Sequence, residues 1–76
     1  MDATELAYKV ITSMWKRLKQ ALNAQENDVD YWVQTTRGFS DLAAEYHDTE
    51  IKKFAEDLCI ACLTLLEQER GDHHAD

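Results

Sequence analysis

Cys59-Ile60-Ala61-Cys62 is the pattern in this chain whose residue types and spacing carry chemistry, and two chemistries use it. A dithiol of this spacing does redox work when it opens a helix, because free backbone amides and the helix dipole there stabilise a thiolate. Here the pair stands deep inside a helical stretch, where that stabilisation is missing. A zinc site takes two sulfurs from one helical face and two nitrogens from elsewhere, and His73 and His74 are the available donors. Those histidines are adjacent, on a tail that must fold back past more than a helical turn. Free cysteine otherwise packs as a small hydrophobe, so the expectation is no metal and no cofactor, with Cys62 on the core stripe and Cys59 at its border.

The remaining reactive residue types are less organised. His47 sits beside a helix boundary, suited to capping a helix C-terminus. Ser13 and Ser40 have no histidine near them in sequence, no glycine-rich elbow precedes either, and no phosphate-cradling loop exists. Glu56 and Asp57 point to solvent rather than into a cleft. Trp15, Trp32, Phe39 and Phe54 recur at helical spacing and read as core anchors. A compact helical chain of 76 residues leaves little room for a pocket of several hundred Å³. The chain is therefore not expected to be an enzyme.

The elements that hold these residues are helices. Zero prolines and two glycines leave few breaks, and no stretch alternates as a strand must. The first helix is predicted from about Ala3 to Ala24, begun by Asp2 or Thr4, with a core stripe of Ala7, Val10, Ile11, Met14, Leu18, Ala21 and Leu22 flanked by Trp15. Residues 25–28 form a turn in which Asn27 or Asp28 caps the second helix, which runs to about Tyr46. It buries Val29, Trp32, Thr36, Phe39, Ala43 and Tyr46, with Leu42 at the edge. Gly38 inside it costs about 1 kcal/mol against alanine and marks a close helix crossing or a kink. His47-Asp48-Thr49 is the second turn, with Asp48 as cap, and the third helix runs from about Glu50 to Arg70 until Gly71 ends it.

Spacings alternating between three and four, as at Ile51, Ala55, Leu58, Cys62 and Leu65, suit bundle packing, and short connections make neighbouring helices antiparallel. The expected fold is a small antiparallel three-helix bundle, one domain over residues 1–71 with a flexible polar tail at 72–76. In Leu58–Leu66 eight of nine residues are apolar, more than one core stripe needs. On the wheel Ile60 and Leu63 point away from the arc of Ile51, Phe54, Ala55, Leu58, Cys62 and Leu65. With Cys59 they form a candidate interface, and a domain of this size gains from assembly. A homodimer is expected.

Charge bounds the partners. Residues 1–24 carry a net +2, residues 25–50 a net −6 and residues 51–76 a net −3, for −7 overall. That balance argues against direct binding to nucleic acid, where lysine and arginine must neutralise phosphates. Two cysteines are too few for a disulfide scaffold, no signal-like segment opens the chain and no apolar run is long enough for a membrane span, so the expected location is a reducing cytoplasm. Asp30, Asp41 and Glu45 share the outer face of the second helix. That acidic face either serves solubility or occupies a basic nucleic-acid-binding groove on a target protein, the manner of a small accessory inhibitor. The primary expectation is a non-enzymatic helical interaction module that binds itself and another protein.

Overall fold

The computed structural model describes residues 2–24 and 28–72, with side chains placed as far as Glu69. Three helices, α1 (Ala3–Asn23), α2 (Val29–Ala44) and α3 (Lys52–Asp72), make up the described chain, and each packs on both of the others. The starts follow from local hydrogen bonding. The Asp2 carboxylate accepts from the Glu5 amide at 2.9 Å, and the Asp28 carboxylate accepts from the Tyr31 amide at 2.7 Å. Each acid satisfies one orphan donor and lies at the positive end of a helix dipole.

The α2–α3 connection departs from expectation. Asp48 does not cap α3; its carboxylate lies 3.2 Å from His47 Nε2. Thr49 takes the capping role, since its hydroxyl donates to the Tyr46 carbonyl at 2.7 Å and accepts from the Ile51 amide at 3.3 Å. A threonine hydroxyl both donates and accepts, so it ties the end of α2 to the start of α3 where a carboxylate could only accept. Gly71 does not end α3, which continues to Asp72. Residues 73–76, most of the expected tail, lie outside the described residues, as do 25–27.

The core is narrow. Val10 and Met14 of α1, Phe39 and Ala43 of α2, and Ile51, Ala55, Cys59, Cys62 and Leu66 on and just before α3 are the buried apolar residues among those described. Four of the nine are alanine or cysteine, small side chains that let helices approach, while Phe39 and Met14 fill the space between. The cross-section of 18 × 17 Å holds three helices and no second layer. Only one slim stripe per helix can be enclosed, so several residues expected in the core lie at the surface: Ile11, Leu22, Phe54 and Leu65 are exposed. Val29, in the first turn of α2, is 71% exposed. Trp32, Thr36 and Tyr46 are half-buried.

Gly38 marks a close approach rather than a kink. Helix α2 runs through it unbroken, and a Cβ at that position would stand 2.5 Å from Arg17 Nη1 of α1.

Candidate functional site

The two cysteines belong to the interior. Each is 6% exposed, and burial pushes both thiols above their ordinary range. A hydrogen bond between the Ser40 side chain and Cys59 works against that rise, while the charge of the neighbouring Cys59 adds to it at Cys62. A raised thiol is a poor nucleophile and a poor metal ligand, because both roles need the thiolate. Among the described residues no three histidine, cysteine or acidic side chains come together as a metal site would need. His73 and His74 lie outside those residues.

Two open grooves border α2. One of about 520 Å³ lies between α2 and α3, lined by Ser40, Ala44, His47, Lys52, Glu56 and Ile60 among others, and the second, of about 430 Å³, is lined by Trp32, Val33, Thr36, Arg37 and Ser40. Both are shallow and open to solvent rather than enclosed pockets. Their reactive groups are engaged locally: His47 Nδ1 lies 3.0 Å from the Ala44 carbonyl and Nε2 faces Asp48, while Ser40 meets the Cys59 sulfur. None is aligned on a shared reacting atom.

The expected interface on α3 does not assemble as a patch. Cys59 is in the core and Leu63 is half-buried against it, because the α3 stripe that meets α1 and α2 is centred on Ala55, Cys59 and Cys62 rather than on Leu58. Ile60 remains 61% exposed, but its exposed neighbours at helical spacing are Glu56 and Glu67. Asp30, Asp41 and Glu45 are exposed on the outer side of α2, as expected. Arg37 lies in the same arc of the helix, so that face is not purely anionic.

The structure instead gathers apolar surface where α1 meets α3. Arg17 reaches over Gly38 and so marks the side of α1 that looks toward α2. With about 100° per residue, Tyr8, Ile11, Trp15 and Leu22 gather within an arc of about 60° beyond the Val10–Met14 line, on the side away from Arg17 and toward α3. On α3 the Ser40–Cys59 bond and the groove containing Lys52 and Ile60 mark the side toward α2. Phe54, Leu58 and Leu65 fall within an arc of about 40° on the opposite side, toward α1. The two stripes flank one outer surface, with half-buried Leu18 and Leu58 at its floor. Six of the nine large apolar side chains left exposed among the described residues are on it: Tyr8 (71%), Trp15 (53%), Ile11 (48%), Leu22 (41%), Phe54 (41%) and Leu65 (37%).

The sequence carried a signal for this surface. Tyr8, Ile11, Trp15 and Leu22 are separated by three, four and seven residues, a stripe of their own beside the core stripe. Reading Ile11 and Leu22 as core absorbed half of it. In comparisons with protein-family models, curated proteins and solved structures the chain finds no match. Among the described residues no helix is long and apolar enough to cross a membrane.

Proposed function

We propose that this chain is a non-enzymatic helical interaction module, homodimeric through its α1/α3 face, that carries its acidic α2 outward toward solvent and other protein partners. The observation that carries the reading is the gathering of six exposed large apolar side chains on one side of a small domain. Contiguous apolar surface is costly to leave in water, and single-chain proteins seldom leave more than a few hundred Å² of it unused. A charge of −7 opposes direct nucleic-acid contact, and free buried thiols suit the reducing cytoplasm.

The module is an up-and-down bundle in this reading. Ser40 meets Cys59 while His47, later in α2, shares a groove with Lys52, earlier in α3, which is the pairing of antiparallel neighbours. Helices α1 and α3 then run the same way, and their apolar stripes lie side by side along most of their length.

Sedimentation velocity over a wide concentration range tests the proposal. The unaltered chain is expected to be a dimer at micromolar concentration. Trp15→Glu is expected to give a folded monomer, because Trp15 is already half in water and contributes little to the core, whereas Ile60→Glu should stay dimeric. A monomer at high micromolar concentration, or a dimer lost through Ile60→Glu and not through Trp15→Glu, overturns the reading.

A further inference from the structure

We propose that the second copy sits on the α1/α3 face with its α3 over the first copy's α1 and its α1 over the first copy's α3, the two copies related by a twofold axis along the helices. This rests on the self-association proposed above and specifies its arrangement. Two symmetric ways exist to close such a face on itself. An axis across the helices lays α1 on α1 and α3 on α3; an axis along them lays α1 on α3.

Charge separates the two. Helix α1 carries Lys9, Lys16, Arg17 and Lys19 against Glu5, a net +3, and α3 carries Glu56, Asp57, Glu67, Glu69 and Asp72 against Lys52, Lys53 and Arg70, a net −2. Laying α1 on α1 brings two cationic rims together, whereas the α3 border of the face carries Asp57 paired with Lys53 at 3.1 Å and adds no cationic excess. Laying α1 on α3 keeps the cationic rims apart and sets each against a helix of net negative charge, the arrangement that disfavours the alternative. Lys19 borders the stripe on α1, and Asp57, which Lys53 also contacts at 3.1 Å, borders it on α3 next to Phe54 and Leu58, in reach of an opposing helix.

Area and net charge agree with a second copy as the occupant. The six exposed side chains offer about 600 Å², close to the roughly 800 Å² per partner of a stable interface once polar rim atoms are added. The strongest repulsion between two chains of charge −7 comes from residues 25–50, which hold a net −6 and belong to α2 and its flanking turns. In the proposed dimer both α2 helices face away from the seam, where their charge also discourages further copies from adding on.

Zero-length carbodiimide coupling of a mixture of isotope-labelled and unlabelled full-length chain reads the arrangement directly. The expected intermolecular products join α1 lysines to Asp57 or Glu69. Charge exchange supplies the second arm: Lys16→Glu/Lys19→Glu mixed with Asp57→Lys/Glu69→Lys should give heterodimer well above the statistical half in native mass spectrometry, while each variant alone dimerises at least tenfold more weakly than the unaltered chain. A dimer whose intermolecular products join α1 lysines to Glu5, with heterodimer at or below one half, overturns this arrangement and leaves the module reading standing. An unaltered chain that stays monomeric overturns both.

Discussion

Replacing Gly38 by alanine should stabilise the fold, and the structure supplies both sides of the balance. Alanine in a helix interior is favoured over glycine by about 0.8 to 1 kcal/mol, because glycine loses more backbone freedom on folding. Against this, the new Cβ would meet Arg17 Nη1 at 2.5 Å and Cζ at 3.1 Å, so the guanidinium must move. It is the far end of a long, exposed side chain with other rotamers open to it, and losing a surface contact of this kind typically costs within about 0.5 kcal/mol. Propensity wins by about 0.5 kcal/mol, which for a domain of this size raises the melting temperature by about 2 to 4 °C. Circular dichroism at 222 nm, at one fixed protein concentration for all variants, measures it. Arg17→Ala/Gly38→Ala isolates the two contributions, since with the guanidinium gone the full gain of about 1 kcal/mol should appear relative to Arg17→Ala alone. A melting temperature that falls in both backgrounds would refute the reasoning and mean that the helix backbones themselves, not a movable side chain, require glycine there.

The core cysteines should behave as packing residues: Cys62→Ser lowers stability by about 1 to 3 kcal/mol in denaturant titration through a buried hydroxyl, and Cys62→Ala by less. Both thiols are raised in the folded state, so stability should hold below the ordinary thiol value of 9.0 and fall as pH rises above it, since only the unfolded chain ionises freely there; a Cys59→Ala/Cys62→Ala variant should have a flatter profile between pH 8 and 10. Asp28→Ala removes the 2.7 Å cap on Tyr31 and should cost about 1 kcal/mol, read as a drop in melting temperature of about 4 to 8 °C. Asp41→Lys/Glu45→Lys should shift stability within about 0.5 kcal/mol and leave sedimentation of the proposed dimer unchanged; dissociation on this reversal would place the seam on α2.

Helix number and most helix ends were legible because they rest on local chemistry. Asp2 and Asp28 stand one residue before a helix with acids in the first turn, and the side chain of each accepts the expected amide. The α2–α3 turn was harder to read because Asp48 and Thr49 are both good caps by type, and only the path of the chain after Tyr46 decides between them. The α3 core stripe was read from spacing as Ile51, Ala55, Leu58, Cys62 and Leu65, with Phe54 in the same arc. The fold selects by fit and places Ala55, Cys59 and Cys62 at the centre, where small side chains permit close helices. That rotation of the α3 stripe moved Cys59 inward, left Ile60 alone among acids and brought Phe54 and Leu65 to the surface beside α1. An error of one helical position in the core thus became an error in where the candidate interface lies.

The same preference for small core residues links the fold to its surface. A bundle whose α3 contributes mainly alanine and cysteine to the centre closes tightly, so the remaining large apolar side chains of α1 and α3 have no place inside a cross-section of 18 × 17 Å. A chain selected only to fold alone would be better served by polar residues at Tyr8, Trp15 and Phe54, as on the outer side of α2, where Asp30, Gln34, Asp41 and Glu45 occupy the corresponding outward positions. The asymmetry between an apolar α1/α3 side and a polar α2 side is what a closed pair requires: one face that excludes water against its twin and one that stays in solvent and repels further copies. Small domains of this length bury too small a share of their surface to be robust alone, so covering the α1/α3 face makes stability depend on concentration. Melting temperature should therefore rise with protein concentration in the unaltered chain and be independent of it in Trp15→Glu; the same flat line in both would mean that the face stays uncovered.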